Sequence, residues 1–315
     1  MKKIDATSFE EIRKWIYRNA RPLELALWQY EFENGGKEAV LSALSHYQNE
    51  DGGFGHALEP DNWNPNSSPA VTLNAIGKLS NIRFEDAGHP IIQGLIRYLE
   101  SGAHFVGDGW VFTIPSNNDC PRAPWWSYDP KASAQAHIGV TLGLACFVLR
   151  FAKKESDLYR QAFALVLQAL SKLKESDAAG DMGLNGYCAL LETLDQLGLS
   201  DSFDMEFLYA AVKKLVDEAI VRDVSRWAHY VARPSQFITA PESPFYKGNE
   251  DIVQKELDYL VETRPENGVW GISWHWYGNT EKYPKEFAIS ENWWKADLDI
   301  GAVGKLKFLR RFGRL

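Results

Sequence analysis

One unit recurs three times along this chain, and recurrence restricts the fold more than any single motif does. Each copy has a turn with an acidic or amide residue before Gly, followed by an aromatic or branched residue. A polar, aromatic-rich loop comes next, and then a helix rich in small residues. The first copy is Gln48-Asn49-Glu50-Asp51-Gly52-Gly53-Phe54-Gly55, running on through Ser68-Pro69-Ala70-Val71-Thr72 to Gly77-Lys78-Leu79. The second is Asp108-Gly109-Trp110-Val111-Phe112, running through Trp125-Trp126 into 132–149. The third is Glu266-Asn267-Gly268-Val269-Trp270-Gly271, running to Glu291-Asn292-Trp293-Trp294 and Gly304-Lys305-Leu306. The Gly-Lys-Leu shared by the first and last copies reads as a common helix ending. A helix–loop–helix unit cannot bury its apolar face alone, so repeats of this kind imply a stacked or closed array.

The periodicity predicts an almost wholly helical chain. Ser8-x-x-Glu11 has the form of a capping box, with Ile12, Trp15 and Ile16 on one face of the helix it opens. Further helices are predicted over 22–32, 37–48, 68–80, 90–101, 132–153, 157–174, 185–198, 204–222, 250–263 and 290–311, and a short extended piece within 227–238. The segments 157–174 and 204–222 are charged on one face, as outer helices should be, whereas 68–80, 132–149 and 290–304 are rich in Ala, Gly and Thr, as crowded inner helices should be. An all-α fold is expected: an α/α toroid of about six helical hairpins in two concentric rings around a cavity. No linker or low-complexity run divides the chain, so residues 1–315 read as one domain.

Several function classes are excluded by what the chain carries. The net charge of -8 argues against a nucleic-acid partner, because phosphate binding needs clustered Lys and Arg. Cys120, Cys146 and Cys188 are few and show no CxxC spacing, which points to a reducing, cytoplasmic compartment. Met1-Lys2-Lys3-Ile4-Asp5 leads straight into a charged helix without an apolar stretch, so no signal peptide is expected. The longest uncharged run, 132–149, reads as a buried helix rather than a span. The basic tail of Lys305, Lys307, Arg310, Arg311 and Arg314 reads either as a solvated helix face or as a contact with an anionic membrane surface. No phosphate loop, G-x-S-x-G or H-E-x-x-H occurs, and His56-x-x-Glu59 lacks a third ligand, so neither metal nor cofactor is expected.

The Gln48-x-x-Asp51-Gly52-Gly53-Phe54-Gly55 segment resembles the Q-x-x-D-G-G-F/W-G repeat of squalene–hopene-type terpenoid cyclases and protein prenyltransferase β-subunits. Glu266–Gly271 resembles a degenerate second copy, and Trp293-Trp294-Lys295-Ala296 before a small-residue helix fits as well. The resemblance implies the toroid and a structural clamp, in which the Gln and the acidic residue tie helix ends while the ring packs on the next unit. It also implies an apolar, isoprenoid ligand in an aromatic-lined cavity. The chain departs from the family's chemistry. D-x-D-D is absent, its nearest echoes being Asp297-Leu298-Asp299 and Glu59-Pro60-Asp61, and no cysteine has Asp two residues before it, so no zinc ligands carry over.

Three constellations could carry chemistry. Glu59, Asp61 and Trp63 sit with Asn62 and Asn64 just before an inner helix, as an acid–base pair beside a ring or as a capped loop. Trp125, Trp126 and Asp129 lead to Ser133, His137 and Thr141, spaced as one polar stripe on a helix, with His137 as a base or a ligand-orienting group. Trp274, His275 and Trp276 pair with Trp293, Trp294 and Asp297. The last three are expected on one helical face, with Asp297 as a carboxylic acid in an aromatic pocket and Asp299 bridged to Lys295. Together these readings describe a cyclase- or prenyltransferase-like protein with an apolar ligand and a carboxylate acid. Two alternatives stay open: a carbohydrate-active enzyme with paired carboxylates, and a non-catalytic binding or scaffold protein.

Overall fold

The computed structural model describes residues 2–175 and 180–315. The chain is mostly helical, with thirteen α-helices among the described residues. Contacts group it into two compact units, one formed by residues 1–46 with 220–315 and the other by residues 47–219.

The unit of 47–219 contains α4 (Pro69–Asn81), α5 (Pro90–Glu100), α6 (Ile138–Phe151), α7 (Asp157–Glu175), α8 (Gly180–Gln196) and α9 (Met205–Ala219). A two-residue antiparallel pair, β1 (Phe105–Val106) and β2 (Gly109–Trp110), closes the second repeat turn. The centre is α6, which carries no charge before Arg150 and packs against α4, α7 and α8. Its approach to α8 is close because small residues face each other: a Cβ on Gly186 would lie 3.1 Å from the Cα of Gly139.

Two copies of the repeat are built by the same pair of hydrogen bonds. In the first, Phe54 N–H donates to Thr72 Oγ1 at 3.1 Å, and Ser68 N–H donates to Phe54 O at 3.2 Å. In the second, Trp110 N–H donates to Thr141 Oγ1 at 3.0 Å, and His137 N–H donates to Trp110 O at 2.8 Å. Ser68 and His137 are the N-caps of α4 and α6, and each Thr lies four residues beyond its cap. The ring residue after each turn is thereby fixed to the first turn of the next helix, and both Phe54 and Trp110 are buried. Around the first turn, Gln48 Nε2 donates to Gly52 O at 2.9 Å and to Ile91 O of α5 at 3.1 Å, while Asp51 Oδ1 accepts from Gly53 N–H and Ser67 Oγ. Gly52 is required there: its φ is 95°, and a Cβ would lie 2.0 Å from Gly94 O.

The unit of 1–46 with 220–315 contains α1 (Ala6–Asn19), α2 (Pro22–Phe32), α3 (Lys37–Ser45), α10 (Glu250–Thr263), α11 (Gly278–Lys282), α12 (Pro284–Ala296) and α13 (Ala302–Arg311). Phe9, Trp28 and Phe32 form a ring cluster with centroids 4.7 to 5.8 Å apart. Arg21 and Glu24 make a buried bidentate pair at 2.8 and 2.6 Å, with the guanidinium 4.8 Å above the Trp293 ring. The two chain segments are tied where Ile4 N–H donates to Arg314 O at 2.9 Å and Arg314 Nη1 donates to Lys2 O at 2.7 Å.

Three expectations about helices change. The helix expected over 132–153 begins only at Ile138, because His137 caps it and 132–134 form a separate 3-10 turn. The helix expected over 290–311 is broken between α12 and α13, where Asp297 leaves helical geometry at ψ 151°. Gly-Lys-Leu is therefore not a shared ending: Lys78 lies in the last turn of α4, whereas Lys305 is four residues past the N-cap of α13. In 227–238 the chain makes 3-10 turns at Val224–Ala228 and Pro234–Gln236. The basic tail is engaged at several positions, with Lys307 Nζ 3.3 Å from Glu31 and Arg314 Nη1 2.8 Å from Asp258.

Replacing Thr141 by Val keeps shape but leaves the buried N–H of Trp110 without an acceptor. Denaturant unfolding of Thr141→Val is expected to show a loss of about 1–3 kcal/mol, and Thr72→Val a loss of the same order. A change within a few tenths of a kcal/mol would mean that the bonds do not hold the repeats.

Candidate functional site

The first two constellations converge in the unit of 47–219. Asn62 and Arg122 form an isolated antiparallel bridge, Trp63 N–H donates to Pro121 O at 3.0 Å, and Ala123 N–H donates to Asp61 O at 2.8 Å. This lays the loop of Glu59–Asn66 along that of Asn117–Ser127. Asn117, fully buried, joins them: its Oδ1 accepts from Asn64 Nδ2 at 2.8 Å and its Nδ2 donates to Trp126 O at 3.0 Å. Glu59 is 8% exposed and Asp61 2%, so both carboxyl groups are enclosed. Asn74 on α4 donates to Glu59 Oε2 at 3.1 Å, and the buried Lys78 follows one turn later on the same face.

Two polar atoms in this assembly are buried without a hydrogen-bond partner, Asn74 Oδ1 and Trp126 Nε1. Such groups cost of order 1–3 kcal/mol unless something satisfies them, so each calls for an explanation. Trp126 stacks on Phe112 with centroids 4.5 Å apart, and Phe112 lies 5.1 Å from the His137 ring. Trp125 keeps 40% of its surface exposed, and Trp63 is half-buried with its indole N–H on Pro60 O at 3.0 Å.

Other expected members have structural work. Asp129 Oδ1 accepts from Lys131 N–H at 2.7 Å and Ala132 N–H at 3.1 Å, forming the turn that contains Pro130. The stripe of Ser133, His137 and Thr141 is not one helical face. Ser133 lies outside α6 and pairs with Thr113 Oγ1 at 2.6 Å, and Thr141 anchors Trp110. His137 Nδ1 accepts from Val140 N–H at 3.4 Å as the helix cap, and burial holds its imidazole below the usual histidine range.

The third constellation lies in the other unit. Asp297 is buried, but not on a helical face with Trp293 and Trp294. It follows the end of α12, and its Oδ1 accepts from Asp299 N–H at 2.7 Å and Ile300 N–H at 3.1 Å. Trp294 packs edge-on to Trp274 at 5.5 Å, with its indole Nε1 buried and unpartnered. Trp276 is fully buried against Phe287, a core ring rather than an accessible one, while His275 is exposed and accepts from Tyr277 N–H at 2.9 Å. Lys295 bridges to Glu291 at 2.8 Å rather than to Asp299 as expected from their spacing.

Beside Asp297 stands a group that the sequence patterns passed over. Lys305 is only part-exposed, with its ammonium 5.8 Å from the centre of the Trp270 ring and bonded to Ile300 O. Burial, with Arg233 adding to it and Asp297 and Glu256 opposing it, pushes its amine down to about 7. Glu256 is fully buried, accepts from Ser235 N–H at 2.7 Å and Ser235 Oγ at 2.6 Å, and faces Arg233 Nε at 3.6 Å. Burial raises the Glu256 carboxyl above its ordinary range. Nothing in the sequence joins Arg233 and Glu256 to Lys305. The usable signal is positional, since Lys305 stands four residues past its N-cap, where the other two copies have Thr72 and Thr141.

The His137 cap gives a pH dependence with a definite sign. Its folded-state pKa lies below the unfolded value of about 6.5, so the unfolded chain takes up the proton first. The stabilisation is present above that value and lost as pH falls below it. His137→Asn keeps a capping group that does not titrate, and its stability should fall less between pH 7.5 and 5 than that of the wild type. His137→Ala should lose about 1 kcal/mol at pH 7.5. Equal pH slopes for wild type and His137→Asn would rule out the capping role.

No family model, curated protein or solved structure matches the chain.

Proposed function

We propose that the unit of 47–219 binds a small polar, polyhydroxylated molecule of the sugar class at the Glu59–Asp61–Asn74 cluster. The observation that carries this reading is Asn74. Its Nδ2 is committed to Glu59 while its Oδ1 is buried with no donor, which a ligand hydroxyl would supply. The neighbouring groups support the same chemistry. Asn62, Asn64 and Asn117 give the site the hydrogen-bonding character of a polyol binder, and Trp126 has an N–H to offer. The exposed face of Trp125 suits the CH-rich face of a sugar ring. Glu59 and Asp61 would supply the carboxyl groups if the bound molecule is also transformed.

A second reading, an apolar isoprenoid ligand acted on by a carboxylic acid, is favoured by the Gln48–Phe54 repeat and by the Phe112–Trp126 stack. For Asp297 as its acid the chemistry is unfavourable, since two backbone N–H donors on Oδ1 stabilise the charged carboxylate. The α/α toroid belongs to these proposals too. It rests on the repeats and on the small-residue α6, which packs among α4, α7 and α8 as an inner helix would. A cytoplasmic setting rests on the three free cysteines.

Titration of the purified chain with a panel of mono- and oligosaccharides, read by calorimetry, tests the first reading. Binding is expected, and Asn74→Ala should weaken it about tenfold, or ~1.4 kcal/mol. No saccharide binding by the folded wild type, or undiminished binding by Asn74→Ala, removes the reading. An isoprenoid recovered by organic extraction would put the second in its place.

A further inference from the structure

We propose that the cleft along α1 is a second binding site, which takes a small aromatic ring carrying a phosphate monoester, a ligand of the nucleoside monophosphate class. The site lies wholly in the unit of 1–46 with 220–315 and does not depend on the saccharide reading.

The cleft follows one face of α1 and is bounded by the turn of the third repeat. Its volume is about 610 Å³, and it is lined by Glu10, Glu11, Lys14, Trp15 and Arg18 of the helix with Asn267 of the turn. Small-molecule sites measure roughly 300–1,000 Å³. One arginine docks the turn on the helix. Arg264 Nη1 lies 3.0 Å from Glu11 Oε2, and its Nη2 donates to Ser8 Oγ at 2.9 Å. Asn267 N–H donates to the same Glu11 oxygen at 3.3 Å. Ser8 and Glu11, which their spacing pairs as a capping box, thus hold a distant turn, and the cap itself is Asp5, whose Oδ1 accepts from Ser8 N–H at 2.7 Å.

This docking sorts the charges of the cleft. The Glu11 carboxylate faces Arg264, and Glu10 lies 3.6 Å from Arg13. Lys14 and Arg18 are exposed, and the side chain of neither makes an ion pair or a hydrogen bond among the described residues. They stand four residues apart, which on a helix sets their Cβ atoms about 5–6 Å from each other, so both can reach one anion. Like charges so placed repel, and a bound anion relieves the repulsion. A phosphate monoester carries about two negative charges at neutral pH and three acceptor oxygens, enough for an ammonium and a guanidinium together.

Trp15 sets the rest of the ligand. Its half-buried ring lines the cleft three residues before Arg18, on the same helical face, and it stacks on no other ring among the described residues. A planar ring joined to the phosphate can stack there. The side-chain amide of Asn267, also without a partner among the described residues, offers a donor and an acceptor to the edge of such a ring. A single carboxylate would leave one cation uncompensated, and inorganic phosphate would leave the indole uncovered.

Calorimetric titration of the full chain with adenosine monophosphate, at neutral pH and low salt, tests the site. Binding is expected, at least about tenfold tighter than that of adenosine or of inorganic phosphate, and weaker as salt is raised. Lys14→Gln and Arg18→Gln should each weaken it about tenfold and leave adenosine unaffected. Glu10→Gln removes a neighbouring negative charge and should tighten it. Trp15→Leu should lower the affinity to that of inorganic phosphate. Glu10, Lys14 and Arg18 are exposed, so their variants should keep the wild-type unfolding transition, and they decide the matter even if Trp15→Leu does not fold. No binding by the folded wild type, equal affinity for the nucleotide and adenosine, or undiminished binding by Lys14→Gln and Arg18→Gln overturns the proposal. An indole carboxylate that binds as tightly as the nucleotide overturns the phosphate assignment, and uptake of an acidic peptide but not of the nucleotide overturns the small-molecule site.

Discussion

The bond from a ring residue's backbone N–H to a threonine hydroxyl on the next helix organises the unit of 47–219. A repeat turn presents N–H and C=O groups that no helix or sheet ladder satisfies, and burial of its ring carries those groups out of water. Thr72 and Thr141 accept the N–H, and the N-cap residues Ser68 and His137 donate to the C=O. One solution serves turn, ring and helix start together, because the same residues that complete the turn also set where the helix begins. The loops between turn and helix are then free to differ, and they do. The first, from Phe54 to Ser68, carries Glu59 and Asp61, whereas the longer second, from Trp110 to His137, carries the Trp125–Trp126 turn.

Much of this was legible in the sequence, for reasons that can be named. Helices with a strong periodic pattern, such as 22–32, 157–174 and 250–263, lie close to where the spacing puts them, because an apolar stripe is a local property. The breaks at His137 and Asp297 were not legible. Both residues sit inside runs that read as continuous helix, and what stops the helix is a side chain accepting a backbone N–H a few residues on. Competition of that kind leaves the hydropathy pattern untouched. The candidate sites divide the same way. Glu59, Asp61, Trp63 and Trp126 meet because their loops are paired through Asp61 O and Pro121 O. Asn74 and Asn117, which complete the cluster, were hidden because an Asn in a helix or a turn is most often only a cap. Arg233, Glu256 and Lys305 are far apart in the chain, and only tertiary packing makes them one group.

The chain carries its buried charge in two ways. Arg21 and Glu24 neutralise each other in a bidentate geometry under a tryptophan ring, an arrangement that offsets much of the desolvation each would suffer alone. Lys305 is different. Its ammonium bonds a backbone carbonyl, that of Ile300, and burial and Arg233 outweigh the support that Asp297 and Glu256 give its charge. A paired buried ion keeps its charge because both partners are committed, whereas burial works against the charge of the amine.

The division of the chain into segments has a consequence for the order in which it is made. One unit is continuous from residue 47 to 219, while the other joins the first 46 residues to the stretch from 220 onward through contacts such as Ile4 with Arg314. Synthesis proceeds from the N-terminus, so the continuous unit has all its residues outside the ribosome while the other has only its opening third. The helices α1 and α2 must wait for α12 and α13, against which they pack in the finished unit. Nascent chains of this protein thus pass through a stage in which one half is finished and the other exposes an apolar helical face, the stage at which a chaperone would have most to cover.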